Sequence, residues 1–332
     1  MPTPRARREL GRGERVLPGV WRLRLPLPWA GVPHCNAWAI AAGDGVVLVD
    51  CGMHEPGSVA HLERAMAMVG LRIEDVRLLA CTHAHTDHYG QAATVIDRAG
   101  CELWMHPNHE HMTRAVKDPR GRLEQRVEVA RQSGVPVAAL DAYEEAHKDD
   151  SPGIARIVEP DRDLVNGVTI STDLGTWEVI ETPGHAPSHV CLFQRDRRVM
   201  ISGDHLLGRI SLYFDYGWTP DPVGEFLHSL EIVEDLDARL CLAGHARPFT
   251  DVSAHIQGNR ELVAERLTRV LHAIEVDDLT AFEIVPHVFD EALSDATASR
   301  WLPETLAYLT HLERTARAHR LPGDPERWRL AG

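Results

Sequence analysis

No apolar run in this 332-residue sequence approaches the ~18 to 20 residues that a membrane span needs, and its arginine-rich start lacks the apolar stretch of a signal peptide. A cytoplasmic protein is therefore expected. No C-x-x-C pair occurs either. Cys35, Cys51, Cys81, Cys101, Cys191 and Cys241 are scattered singly, which suits buried reduced thiols and speaks against a disulfide framework or a thiolate zinc site. Basic residues are scarce, 35 against 49 acidic ones for a net charge of −14. That balance repels polyanions and disfavours nucleic acid as a partner. The local exception is Arg5, Arg7, Arg8, Arg12 and Arg15, read as a basic, flexible terminus over residues 1–15. Internal repeats and low-complexity tracts are missing, which excludes solenoids. No Ser-His-Asp arrangement stands out as a nucleophile.

What is present is an ordinary globular composition, 44% hydrophobic and 25% charged, in a chain long enough for one large domain and a smaller appendage. Val20 to Leu25, Asn36 to Ala41 and Val46 to Asp50 read as strands, with Gly43-Asp44-Gly45 as a hairpin turn. Val59 to Val69 has helical spacing, Val76 to Cys81 reads as a buried strand, Gln91 to Ala99 as a helix and Cys101 to Met105 as a strand. This alternation predicts a layered α/β sandwich. Charged helical stretches, Leu123 to Gln132 and Ala138 to Lys148, mark an inserted cap over about 109–163. Strand signals resume at Val168 to Ser171, Trp177 to Glu181, His189 to Gln194 and Arg198 to Ile201. Beyond residue 250, Leu262, Val263, Leu267, Val270, Leu271 and Ile274, then Leu302, Leu306, Leu309 and Leu312, recur at three and four, predicting a helical module over 251–332.

The chemistry concentrates in Cys81-Thr-His-Ala-His-Thr-Asp-His88, directly after the strand ending at Cys81. Imidazole nitrogen and carboxylate oxygen are preferred ligands of zinc and similar divalent ions. The spacing lets His83 and His85 share one ion while Asp87 and His88 turn to a second. More donors follow glycines at strand ends: His185 in Thr182-Pro-Gly-His, Asp204 in Ser202-Gly-Asp and His245 in Ala243-Gly-His. Glycine permits close backbone approach there, so the pattern gathers side chains at one sheet edge. His189 and His205, beside these positions, read as structural neighbours rather than ligands.

The order H-x-H-x-D-H, then His, Asp and His, resembles the motifs of the metallo-β-lactamase superfamily over about Val20 to Pro248. The resemblance implies a four-layer αββα sandwich, here of residues 16–250, with metals at one edge of its two sheets. It implies that His83, His85 and His185 hold a first ion, that Asp87, His88 and His245 hold a second, and that Asp204 bridges both. Asp50, in Val49-Asp-Cys-Gly, matches a position near the metal loop and is expected either to support a ligand by hydrogen bonding or to stabilise a turn. An aspartate rather than a cysteine at 204 is closer to glyoxalase II, lactonase and ribonuclease relatives than to the common antibiotic-destroying lactamases. The tail, from His255-Ile-Gln-Gly-Asn-Arg260 onward, resembles a winged-helix-like module or, equally, a helical extension that caps the sandwich or pairs subunits in a homodimer.

The function expected is a hydrolase of a small-molecule ester, thioester or lactone, using hydroxide shared by two divalent ions, zinc first and iron or manganese as substitutes. Asp87 would orient the water and pass on its proton. The aromatic loop Tyr213-Phe-Asp-Tyr216-Gly-Trp218 and the insertion are candidates for substrate selection, the loop's rings either roofing the metals or simply packing. Two other activities stay open: a phosphodiesterase or ribonuclease, and a mononuclear iron persulfide dioxygenase.

Overall fold

Side-chain alternation along the strands builds the architecture. A computed structural model describes residues 10–29, 31–289 and 295–332. Its first sheet runs in chain order through β1 (Arg12–Leu17), β2 (Val20–Pro26), β3 (His34–Ala42), β4 (Gly45–Val49), β5 (Val76–Ala80), β6 (Glu102–Met105) and β7 (Arg162–Asp163). The first four strands form an antiparallel meander. The pairs from β4 to β7 are parallel, so crossover helices must connect them. These are α1 (Ser58–Ala67), the one-turn α2 (Thr86–Tyr89) with α3 (Ala92–Ala99), and the insertion α4 (Glu110–Lys117), α5 (Pro119–Gln132) and α6 (Val137–His147).

The second sheet contains β8 (Thr169–Thr172), β9 (Gly175–Glu181), β10 (Val190–Gln194), β11 (Val199–Gly203) and β12 (Leu240–Ala243), in the order β12-β11-β10-β9-β8. Its one parallel pair, β11 and β12, is bridged by α7 (Pro222–Asp235). The tail comprises α8 (Val252–Ala273), α9 (Ala281–Val288), α10 (Asp295–Arg314) and the hairpin β13 (Ala318–Leu321) and β14 (Arg327–Leu330).

Period-two burial separates three cores and hence four layers. On β3, Trp38 and Ile40 face the other sheet, where Trp177, Val179, Leu192 and Ile201 meet them. Ala37 and Ala39 face the opposite way, onto Leu62, Met66 and Val95 of α1 and α3. On β10, Leu192 lies between the sheets, whereas Cys191 and Phe193 turn outward to Phe226, Ile256 and Leu309 of α7, α8 and α10. The order is helix, sheet, sheet, helix. Among the described residues, the tail's apolar face and the outer face of the second sheet form one continuous cluster.

The basic amino-terminal stretch requires a correction. Arg12 and Arg15 belong to β1, which pairs with β2 along the sheet edge, and the Arg22–Glu14 ion pair at 2.9 Å ties the two strands. Apolar patterning misses this strand because glycines make its contact. A Cβ on Gly11 or Gly13 would come within 1.9 Å of His61 O or 2.0 Å of Ala65 O on α1. Arg5, Arg7 and Arg8 lie outside the described residues. The tail also carries the β13–β14 hairpin, which apolar spacing at three and four does not mark.

The insertion is fastened to the tail by backbone. Phe282 N–H donates to Ser133 O at 3.0 Å, and Glu326 N–H donates to Gln132 O at 2.8 Å. No helix among the described residues is long and apolar enough to cross a membrane.

Trp177 is fully buried between the sheets, and its indole N–H donates to Thr172 Oγ1 at 3.1 Å. Replacing it by alanine removes the largest filler of the inter-sheet core on β9. Trp177→Ala is expected to cost about 3–5 kcal/mol, read as a lowered midpoint in urea denaturation.

Candidate metal centre

β5 ends at Ala80 and the chain leaves the sheet through Cys81 to His85 before turning at once into α2. That single turn sets Asp87 and His88 side by side. Asp50, just past β4, adopts a left-handed φ of 62° that aims its carboxylate across the parallel pair. Its Oδ1 accepts Thr82 N–H at 2.7 Å, and its Oδ2 accepts the Thr82 hydroxyl at 3.0 Å and His88 Nδ1–H at 2.8 Å. Asp50 thus supports a ligand. His185 follows β9, Asp204 follows β11 and His245 follows β12, so all the candidate ligands emerge from strand ends at one edge.

The structure brings the seven together as two adjoining groups. In the first, His83 Nε2 and His185 Nε2 each lie 3.0 Å from His85 Nδ1. In the second, His245 Nε2 lies 3.1 Å from both Asp87 Oδ2 and Asp204 Oδ2. His88 Nε2 lies 3.5 Å from Asp87 Oδ2 and 3.4 Å from Asp204 Oδ1. Asp204 reaches both groups, since its Oδ2 is also 3.8 Å from His185 Nε2.

The far nitrogen of every ring is already committed. His85 Nε2–H donates to Asp215 Oδ2 at 2.9 Å, His185 Nδ1–H to Tyr213 O at 3.1 Å and His245 Nδ1–H to His34 O at 2.9 Å. The Thr82 hydroxyl gives its own proton to Asp50, so at 2.9 Å it accepts from His83 Nδ1–H. In the first group His83 Nε2 and His185 Nε2 both face His85 Nδ1, and one proton on that atom can satisfy only one of them, a shortage that a cation makes good. His88 Nε2 and Asp204 Oδ1 are buried with no hydrogen-bond partner in the protein. These donors fit divalent ions.

The electrostatics agree. Burial drives His83 well below the usual imidazole range and His185 down to about 4, so both are neutral donors at pH 7. Burial acts against charge at His245 too, but Asp204 and Asp87 outweigh it and hold that imidazole at about 10. Burial would raise Asp87 and Asp204, yet the facing imidazoles keep both carboxylates ionised. A proton at His245 thus occupies the electrostatic role that a dication would take over.

His189 is no ligand: its Nε2 accepts Asp204 N–H at 3.0 Å and its Nδ1 bonds Thr182 Oγ1 at 2.8 Å. His205 packs edge-on against Phe226. Sequence reasoning misses two residues. Asp215 carries His85, and its Oδ2 also lies 2.8 Å from His111 Nδ1. His111 in turn bonds Ser188 Oγ, at 2.8 Å. Asp215 was hidden among the rings of its own loop, and His111 in a charge-rich insertion. The loop divides its labour: the Tyr213 ring centroid is 5.7 Å from that of His85 and 5.6 Å from that of His185, whereas Phe214 is core against Phe226 and Tyr308.

Comparison with known proteins matches residues 30–245 to the family model of the metallo-beta-lactamase superfamily. A probable metallo-hydrolase of Bacillus subtilis, YqjP, is 26% identical over 300 residues, 88% of this chain and 91% of its own length. An atrochrysone carboxyl ACP thioesterase of Aspergillus chevalieri is 22% identical over 333 residues, covering 96% and 89%. Among solved structures, a beta-lactamase domain protein from Burkholderia ambifaria superposes with a TM-score of 0.83 at 28% identity, covering 99% of this chain and 97% of its own. A metallo-beta-lactamase family protein from Thermus thermophilus gives 0.80 at 26%, covering 95% and 99%.

Two outcomes are expected. Asp50→Ala should weaken metal retention by about 10- to 100-fold, measured by chelator competition. Because an ion at the second group must displace the protons that His245 and His88 hold, its apparent affinity should rise with pH through the neutral range. Zinc titrations across that range, with proton release followed by calorimetry in buffers of different ionisation enthalpy, read this directly.

Proposed function

This chain belongs to the metallo-beta-lactamase superfamily and is a metallo-hydrolase, and from that premise we propose that it cleaves an ester, thioester or lactone of a small molecule with two zinc ions. The observation that carries the two-ion reading is Asp204, whose carboxylate faces both groups of donors. His83, His85 and His185 would hold one ion, and Asp87, His88 and His245 the other. Such ions lower the pKa of water from 15.7 to about 7 and polarise a substrate carbonyl oxygen.

The chain's own residues do the rest. Asp215, Tyr213 O, Thr82, Asp50 and His34 O fix the five rings before substrate arrives, so no reorganisation accompanies reaction. Asp87 orients the attacking water through its carboxylate and takes the proton as the new carbon–oxygen bond forms. It returns that proton to the sulfur or oxygen of the leaving group when the acyl bond breaks, giving a carboxylic acid and a thiol or alcohol. The Tyr213 ring stands beside His85 and His185 at this edge.

Several findings support an acyl substrate. The Aspergillus relative, similar along nearly the whole chain, is named a thioesterase. An aspartate at 204 suits the glyoxalase II-like branch. The net charge of −14 opposes the ribonuclease reading, although a tail of three helices and a hairpin is compatible with a winged-helix-like module. Six free cysteines, five of them buried, suit a reducing cytoplasm.

The test is metal analysis of protein purified without added metal, followed by turnover on thioester, lactone, β-lactam, phosphodiester and RNA panels. Zinc at two per chain with thioester or lactone turnover is expected; one iron with oxygen uptake, or RNA cleavage alone, would reverse the assignment. Asp87→Ala and Asp87→Asn should lower kcat/KM by about 10²- to 10⁴-fold. Near wild-type turnover with both ions retained would remove Asp87 from proton handling.

A further inference from the structure

A cavity of about 330 Å³ opens beside the metal edge, and none of the seven converging ligands lines it. Its inner wall is Tyr213 and Asp215, the residues that hold His185 and His85, so it communicates with the first group of donors through a single layer of side chains. On one side stand α5 and α6 with Val129, Leu140 and Tyr143; on the other stand α9 and α10 with Phe282 and Leu306. The backbone bonds from Ser133 O and Gln132 O to the tail keep these two walls at a fixed separation.

Arg122 and Arg126 also line the cavity, one helical turn apart on α5. Other arginines of this helix are neutralised: Arg120 pairs with Glu124 at 2.9 Å and Arg131 with Glu128 at 2.8 Å. Among the described residues, neither Arg122 nor Arg126 forms an ion pair. The Arg122 guanidinium lies 5.7 Å from the Trp218 ring centroid and makes a 3.4 Å contact with Gln125. Burial and Arg126 act against its charge, with only the Asp215 carboxylate and the rings of Tyr213 and Tyr143 favouring it. Two like charges at this spacing repel, and an oxyanion received between them relieves that repulsion while meeting both forks.

Resting on the hydrolase reading, we propose that this cavity takes the non-reacting part of an acyl ester or thioester that carries both an apolar group and an oxyanion, carboxylate or phosphate, gripped by Arg122 and Arg126. At about 30 Å³ for each water-sized unit, the space holds on the order of ten non-hydrogen atoms. The rigid walls select the apolar part by size, the arginines select charge, and the scissile carbonyl reaches the ions past Tyr213.

Three thioesters with one acyl group separate the contributions: S-hexanoyl-N-acetylcysteamine is neutral, S-hexanoyl thioglycolate bears a carboxylate, and hexanoyl-coenzyme A bears phosphates. In Arg122→Ala, Arg126→Ala and the double variant, with metal content and Tm checked, the ratio of kcat/KM for charged over neutral substrate should fall about tenfold or more. A fall on the carboxylate arm alone or the phosphate arm alone identifies the anion; a ratio within twofold of wild type on both arms overturns the proposal. Should wild type cleave none of the three, the hydrolase reading fails on thioesters, and calorimetric binding of octanoate to the metal-loaded protein then decides. Binding weakened about tenfold in the double variant upholds the cavity assignment; equal binding, or none, overturns it.

Discussion

Ring nitrogens and carboxylates that face one another with too few protons to pair them all govern this molecule. Three imidazole nitrogens meet within 3.0 Å contacts around His85, and two buried carboxylates press on His88 and His245. Each ring is denied an alternative tautomer by an acceptor on its far side. Such a cluster is unfavourable by itself, because buried donors lacking complementary partners retain their desolvation cost. Divalent charge resolves the conflict, and the rest of the structure keeps the conflict in place until it arrives.

The restraint is shared between the two sheets. Arg22 Nε–H donates to Asn36 Oδ1 at 2.9 Å, Asn36 Nδ2–H donates to Ala243 O at 2.8 Å, and Asn36 N–H to Gly244 O at 2.7 Å. The indole of Trp38 donates to Ala243 O as well, at 3.3 Å. β3 therefore grips the end of β12, which carries His245. On the opposite flank Asp50 joins β4 to the His83 loop. Gly244 completes the fit, since a Cβ there would lie 2.2 Å from Asp204 Oδ1.

The ligands were legible because their chemistry is local: a dense run after a strand, and glycine before each later donor. Nine strands of the two sheets, β2 to β6 and β8 to β11, followed from apolar patterning to within a residue or two, whereas β7 and β12 went unmarked. What stayed hidden depends on long-range contact. β1 is held by glycine backbone against α1, which leaves no hydrophobic signature. Asp215 and His111 meet only because the loop after β11 folds back over the start of α4. The cavity faces belong to segments more than 130 positions apart, so no window of sequence contains both.

That last separation divides the molecule's labour. The edge that would carry out bond cleavage is built from strand ends, while the space beside it is bounded mainly by the insertion and the tail, which contribute none of the converging donors. Changes in α5, α6, α9 or α10 can therefore alter what is admitted and leave the reactive edge as it was. A lineage could exchange one diet for another by redrawing its outer helices, with the hearth untouched.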